Sequence, residues 1–478
     1  MNRLVPVFLT ITISLAAVAQ QKPNILLINF DDMGYADLGC YEPSVTYTPR
    51  IDEIARQGVR FTDFYASQPV CSASRASLMT GAYANRVGIH HALGPRNPIG
   101  LNPHEQTLAE LVKTAGYRTS MVGKWHLGDQ PAFLPKNQGF DFFEGVPYSH
   151  DMWPNHPNPA QGKQYGELFW LHNNGEKTRV ESADSVMAWT NREVDRELSR
   201  LSGRGHQQPF FLYVAHPLPH VPLGLDRQPT PANKSVYGQV IGRLDEAVGH
   251  WIDLLGKNGQ LENTLIILTS DNGPWLQYGN HAGSAGRFRE GKGTTWEGGV
   301  RVPAIFYWKG KIPAGKLVQG AAMNIDILPT ISSLLSAKQE NSLIDGKNIW
   351  PFISGEKIPD DLATRPLFFY YETNQLQAVR WKNWKLYFPH AYRKTEGLLP
   401  GNNGKPGAEK YVPMELELYD LANDINERSN LAGQQPQLVK ELEEMAAEMR
   451  RKLGDALTNQ TGKENRLPGR VEQQNDLL

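Results

Sequence analysis

Residues 24–32 read NILLINFDD, an apolar run from Asn24 to Phe30 followed at once by two aspartates. A run of that length without polar alternation suits a strand buried on both faces, as at the centre of a parallel sheet covered by helices. The same texture returns at Tyr117–Val122, Pro209–Ala215 and Asn263–Thr269. Helical patterns separate these runs. Thr48 and Pro49 stand as N-cap and N1 of a helix that carries Ile51, Ile54 and Ala55 and stops at Gly58. Leu108, Leu111, Val112 and Ala115 mark a second helix, closed by Gly116, and Val240, Ile241, Leu244, Val248 and Ile252 form one face of a long third. This alternation predicts an α/β fold: a large, mostly parallel mixed sheet flanked by helices.

Ligands of open α/β sheets bind beyond the carboxyl ends of the strands. The first run ends in Asp31-Asp32, the second in Lys124-Trp125-His126, the third in His216 followed by His220, and the last in Asp271-Asn272. If the strands are parallel, these groups meet on one rim. Taken singly, each has a bland reading: adjacent aspartates make a solvated turn, Asp271-Asn272-Gly273 is a good turn sequence, and lysines lie mostly on the surface. Taken together, three carboxylates and an amide form an all-oxygen set for a hard cation, Ca2+ ahead of Mg2+. No Cys/His spacing suits zinc. Lys124 and His126, two residues apart, face the same side and can reach one anion.

Residues 69–81 read PVCSASRASLMTG and hold Cys71, one of only two cysteines in the chain. A lone cysteine is usually inert packing. Here it stands at a helix start spanning Ser72 to Thr80, whose free N–H groups and dipole favour an anion, be it sulfate or phosphate.

The segment resembles the maturation signature of the type I, formylglycine-dependent sulfatases, a group of the alkaline-phosphatase-like superfamily that includes arylsulfatase A and N-acetylgalactosamine-6-sulfatase. The matching positions are Cys71, Ala73 and Arg75, then Leu78, Met79, Thr80 and Gly81. Residues 116–126, GYRTSMVGKWH, resemble the second signature of that family. The resemblance implies that a maturase oxidises Cys71 to formylglycine, whose oxygen joins Asp31, Asp32, Asp271 and Asn272 in holding calcium. It implies catalytic roles for Arg75, Lys124, His126, His220 and Lys292, the last within REGKGTTWEGGVRVP, where Glu297 and Arg301 look structural. His220 matches by its place before Val221-Pro222, and His216 is the competing candidate.

The implied chemistry starts from a hydrated aldehyde. One hydroxyl attacks sulfur, assisted by Asp271, while Arg75 holds the group and the alcohol leaves with a proton from His220. The second hydroxyl then collapses, gives its proton to His126 and expels sulfate. Lys124, Lys292 and the metal offset the charge that develops on the sulfuryl oxygens. Ala73 stands where many relatives carry Pro, and in the family the resemblance points to, alanine at this position accompanies radical-type, oxygen-independent maturation. A host without that maturase is expected to leave an inactive thiol.

The leading reading is therefore an exported sulfatase, exo-acting on a terminal sulfated sugar, with Trp153, Trp275 and His281 as candidate substrate contacts in loops near the motifs. Two rivals stand beside it. One is a phosphomonoester or phosphonate hydrolase of the same superfamily, although a paired-metal phosphatase would want more His and Asp ligands. The other is a non-catalytic glycan-binding protein with unconverted Cys71.

Composition adds bounds. Lys and Arg number 49 against 50 Asp and Glu, so no global field draws the chain to nucleic acid or an anionic membrane. Arg3 and the apolar run Leu4–Val18, ending in Ala17-Val18-Ala19, read as a secretory signal over residues 1–19, too short for a stable span. That predicts an exported chain, periplasmic or secreted. With Cys71 engaged no disulfide remains, Cys40 becomes a small buried filler, and such sparse cysteine use points with Ala73 to a bacterial envelope enzyme. The catalytic domain is expected over 22–360. Near Asp361 the texture changes to short aromatic strands, Pro366–Tyr371, Gln377–Trp381, Trp384–Pro389 and Glu415–Asp420. An amphipathic helix with Leu438, Leu442, Met445 and Met449 on one side follows, together an α+β subdomain over 361–456. A polar tail, 457–478, is expected to be disordered.

Overall fold

The computed structural model describes residues 21–42, 47–203, 208–225, 235–340 and 343–472. The expected secretory signal lies outside the described residues, as does the end of the tail from 473 onward.

Ten strands form the central sheet: β1 (Asn24–Phe30), β2 (Val59–Phe61), β3 (Arg118–Lys124), β4 (Phe142–Val146), β5 (Phe169–His172), β6 (Glu176–Arg179), β7 (Phe210–His216), β8 (Thr264–Ser270), β9 (Ala304–Tyr307) and β10 (Lys316–Val318). Their order across the sheet is β10-β2-β9-β8-β1-β7-β3-β4-β5-β6. The five in the middle, β8-β1-β7-β3-β4, are all parallel. Among the described residues, the antiparallel pairs of this sheet are β8–β9, β9–β2, β4–β5 and β5–β6.

Burial on both faces follows from the strand pleat. Ile25, Leu27, Phe211, Tyr213 and Ile267 face one core, shared with helices α2 (Cys71–Thr80), α3 (Leu108–Thr114) and α6 (Ile327–Leu335). Leu26, Ile28, Leu212, Val214 and Leu268 face the other, shared with α1 (Pro49–Gln57), α4 (Ala183–Ser202) and α5 (Val236–Lys257). Successive side chains alternate faces, so a strand covered twice has no polar positions to show.

Several expectations are corrected in detail. Thr48 occupies the N-cap position of α1, but its hydroxyl donates to Asp52 at 2.9 Å. The free amides of Arg50 and Ile51 go instead to Asp245 on α5, at 3.2 and 2.8 Å, so a packed neighbour caps the helix. Cys40 is half-buried rather than fully buried. Among the described residues no helix is long and apolar enough to cross a membrane.

The C-terminal part is a second layer system. Strands β11 (Leu367–Tyr371), β12 (Gln375–Trp381), β13 (Trp384–Tyr387) and β16 (Glu417–Asp420) form an antiparallel sheet in that order, and β14 (His390–Lys394) and β15 (Lys410–Met414) form a separate hairpin. Helix α7 (Pro436–Leu453) buries Val439, Leu442, Ala446, Met449 and Leu453 in this subdomain's core, with Leu438 and Met445 at the edge of the stripe. The expected face is thus rotated slightly.

The tail from Leu457 to Glu472 is not a loose end. Gly469–Arg470 pairs with Ile99–Gly100, Gln460–Thr461 pairs with Gly454–Asp455, and Arg466 grips Glu105 through two hydrogen bonds of 2.6 and 2.8 Å. Backbone pairing, invisible to a reading of side-chain polarity, overrides the polar composition.

Candidate active site

Because β8, β1, β7 and β3 are parallel neighbours, their loaded carboxyl ends do meet. Two of the residues leave their strands in the left-handed region, Asp32 at φ 62° and His126 at φ 61°. Non-glycine residues held there cost energy and gather at functional sites.

Helix α2 delivers Cys71 into this rim. Cys71 is its first residue, all ten residues are buried, and Gly81 ends it at φ 67° with its N–H bonded to Ser77 O at 2.9 Å. Cys71 Sγ lies 3.4 Å from Asp31 Oδ1. Burial first, then Asp31, pushes the thiol well up, so this side chain as a cysteine is a poor nucleophile.

Three cations and three carboxylates interlock around it. Arg75 Nε donates to Asp271 Oδ2 at 2.9 Å, its Nη2 reaches Asp271 Oδ2 at 2.8 Å and Asp31 Oδ2 at 3.3 Å, and its Nη1 donates to Lys124 O at 2.9 Å. Lys124 Nζ contacts Asp31 Oδ2 at 2.5 Å and Ser149 Oγ at 3.0 Å. Lys292 Nζ contacts Asp32 Oδ1 at 2.7 Å and lies 4.5 Å over the Trp275 ring. Burial acts first on each group. It opposes ionisation of Asp31, but Lys124, His220, Arg75 and Lys292 prevail and hold Asp31 well below the usual carboxylate range. Asp32 goes the other way, pushed up to about 7 by burial, with Asp31 and Asp271 adding to it against Lys292.

The set fits a hard cation. Ligand atoms of Asp31, Asp32, Cys71 and His220 lie within 4.8 Å of one another. Asp32 Oδ2 and Asn272 Oδ1 are buried without a hydrogen-bond partner, while Asn272 Nδ2 donates to Asp32 Oδ1 at 2.7 Å. Orphaned buried oxygens beside crowded carboxylates are what a bound cation would satisfy. Asp271 is held differently, its Oδ1 accepting from Asp32 N at 3.2 Å and its Oδ2 tied to Arg75.

Hydrogen bonding fixes the histidine tautomers. His126 Nε2 faces Leu93 O at 2.8 Å, so it carries the proton and leaves the buried, unpartnered Nδ1 as an acceptor. His220 Nδ1 faces Val221 O at 2.5 Å, which leaves Nε2 toward Asp32 Oδ2 at 3.5 Å. Burial first, then nearby lysines, lowers the pKa of both rings. His216 is spent on structure: its Nδ1 accepts from Leu218 N at 3.1 Å and its Nε2 lies 3.3 Å from Asn191 Oδ1.

A cavity of about 280 Å³ opens over Cys71, His126, His220 and Lys292. Trp275 lines it, its ring edge-on to His220 at 5.5 Å. Trp153 and His281 do not line it. Trp153 packs in a small core with Tyr148, Leu168 and Trp170, and His281 ends a short turn, Leu276–His281. Sequence reasoning missed Ser149, Asp151, His91, Tyr371 and Arg393. Ser149 follows the carboxyl end of β4, so the strand-end rule would have found it had Phe142–Val146 been read as a strand. Glu297 and Arg301 lie outside the cavity and form a buried lattice, with Arg301 Nη1 2.9 Å and Lys385 Nζ 2.7 Å from Glu297.

Residues 23–337 match the protein family described as Sulfatase, and residues 363–474 match the C-terminal region of aryl-sulfatase. The chain is 36% identical to arylsulfatase A of Bos taurus over 473 residues, covering 92% of this chain and 91% of that one. It is 36% identical to N-acetylgalactosamine-6-sulfatase of Canis lupus familiaris over 444 residues, covering 87% and 83%. The crystal structure of Ps i-CgsB in complex with k-i-k-neocarrahexaose matches with a TM-score of 0.72 at 30% identity, covering 90% of this chain and 93% of that one.

Proposed function

Since the chain belongs to the sulfatase family and is a sulfuric ester hydrolase, we propose that its substrate is a sulfated carbohydrate, cleaved at a terminal sugar after Cys71 becomes formylglycine. The observation that carries this reading is the lock of Cys71 among Arg75, Lys124, Lys292 and the aspartates at the base of a cavity. The names of the galactosamine sulfatase and of the carrahexaose complex support the sugar.

Asp31, Asp32 and Asn272, with the oxygen of the modified residue 71 and Asp271, would hold Ca2+. When bound, that ion offsets negative charge on the sulfuryl group, and the oxidised residue 71 supplies a hydroxyl nucleophile. The remaining steps belong to the chain's own side chains. With all three carboxylates ionised, as a bound cation would favour, they match the three cations, so a divalent cation leaves the site net positive and receptive to a sulfate ester. Lys292, in the cavity wall, and Lys124, buried behind it, would bind the sulfate oxygens. Arg75 fixes the start of α2 against Asp31 and Asp271, so the nucleophile is aimed before substrate arrives.

His220 is the proton donor to the departing alcohol through Nε2. Its depressed pKa is that of the empty site; an anionic ester beside it opposes the lysines and favours the imidazolium. His126 accepts through Nδ1. The carbonyls of Leu93 and Val221 set which nitrogen of each ring is free for the substrate, Nδ1 in His126 and Nε2 in His220; the division into donor and acceptor is the one the family resemblance implies.

The test is a panel of sulfate esters of falling leaving-group acidity, from 4-nitrophenyl sulfate to sulfated mono- and disaccharides, with phosphate esters as controls. The wild type is expected to release sulfate from at least one sugar and to leave the phosphates largely intact. His220→Ala should slow sugar sulfates by about 10²- to 10⁴-fold and the aryl ester far less, since a nitrophenolate needs no proton. Equal losses across the panel would remove His220 from that role.

Chelation gives a second check. Stripping Ca2+ should lower both activity and Tm reversibly, because an ion present at 100 times its Kd stabilises the fold by about 2.7 kcal/mol. An unchanged melting curve after exhaustive chelation would argue against the ion.

A further inference from the structure

The cavity over Cys71 is not made by the sheet domain alone. Tyr371, at the end of β11, and Arg393, in the β14–β15 hairpin, form part of its wall. Their position is tied to the lysine loop: a Cβ placed on Gly293 would meet Arg393 Cζ and Nη1 at 3.2 Å and Tyr371 Oη at 3.3 Å. Gly293 itself sits at φ 79°. The guanidinium therefore rests close to the backbone next to Lys292, where a side chain would press on it and the positive φ already favours glycine.

Arg393 differs from the other cations here. Lys124 and Lys292 hold carboxylates at 2.5 and 2.7 Å, whereas Arg393 is paired more loosely: its Nε lies 3.4 Å from Glu409 and makes no hydrogen bond, Tyr411 bonds the side chain from the same hairpin, and the side chain is 19% exposed. A planar guanidinium so placed suits two-pronged binding of a carboxylate or sulfate. Tyr371 adds a ring face and a hydroxyl beside it. Asp151, in the same cavity, keeps Oδ1 buried and unpartnered, an acceptor for a sugar hydroxyl. A cleaved sulfate already has its cations, so the additional one points to a second charge on the substrate.

We propose that Arg393, assisted by Tyr371, binds a second anionic group on the substrate, a carboxylate or a further sulfate carried by the sugar unit beside the cleaved ester. This rests on the sulfated-carbohydrate reading and narrows it to polyanionic glycans. It also makes the C-terminal subdomain a determinant of specificity, since the hairpin contributes the group that selects.

The test uses the full-length, oxidised, Ca2+-loaded protein and its Arg393→Gln and Arg393→Lys variants. Four substrates are compared: 4-nitrophenyl sulfate, a monosulfated neutral disaccharide, the same disaccharide with a uronate, and the same with a second sulfate. Arg393→Gln should raise KM for one or both doubly charged sugars by about 10- to 100-fold with little change in kcat, while the other two substrates stay within about twofold. Arg393→Lys should recover part of the loss, and the substrate that responds identifies the anion. An equal loss on all four would mean that Arg393 merely braces the Lys292 loop, and would overturn the proposal. So would a wild type that shows no preference for a second charge. A wild type that cleaves the aryl ester and none of the sugars would overturn the carbohydrate reading itself.

Discussion

Cys71→Ala is expected to abolish sulfate release, by at least about 10⁴-fold, because it removes the reacting atom while leaving the binding groups in place. The packing argument makes this a clean experiment. Cys71 is 2% exposed at the first turn of α2 and touches Asp31 only through a 3.4 Å contact, so alanine fits the same space and the fold should persist. Tm is expected within a few degrees of wild type. A companion measurement separates the residue from its modification: the protein made without a maturase retains the thiol, and should be as inactive as Cys71→Ala. Intact mass spectrometry of the 69–81 peptide reports which form is present. Full activity in a preparation that holds only the thiol would end the formylglycine account.

Arg75→Met has the other large effect, on stability as well as rate. Arg75 is 1% exposed and bridges Asp31 and Asp271 while donating to the carbonyl of Lys124. Removing one partner of a buried ionic cluster typically costs about 3–5 kcal/mol, because the remaining charges stay buried without compensation. Asp271 would lose its pair with Arg75, while Asp31 would keep Lys124 at 2.5 Å. Urea denaturation and calorimetry should show the loss, and Arg75→Lys should show a smaller one, since it restores charge without the fork. If Arg75→Met melted like the wild type, the interlocked cluster would contribute nothing to the fold, and its role would be confined to catalysis.

The parallel strands were legible because burial on both faces leaves an unbroken apolar run, as in Asn24–Phe30, and because each run ends in residues that a turn alone would not need. The rim followed once those strands were read as parallel, and Asp31, Asp32, Lys124, His126, His220 and Asp271 all stand on it. The outer strands were not legible. Glu176–Arg179 is exposed at every position, and Phe169–His172 mixes faces, so neither carries a periodic signal. Helix Ala183–Ser202 hid its apolar positions among charges, with Glu193 and Glu197 buried on its inner face. Arg393 had no local signature at all. Its place is set by a hairpin pairing and a glycine a hundred residues earlier, and long-range packing of that kind leaves no trace in a window of neighbours.

The strand order has a consequence in time rather than in space. Strand β1 is bonded on one side to Phe210–His216 and on the other to Thr264–Ser270, so neither neighbour exists when Asn24–Phe30 is first made. At about 5–20 residues per second, this hydrophobic strand waits roughly 10–40 s for its first partner. Gly469–Arg470 then closes onto Ile99–Gly100 only after nearly the whole chain has emerged. The nascent protein must therefore carry this apolar segment unpaired through more than a third of its own synthesis. Its yield should depend on whatever shields that strand more than on the stability of the finished fold.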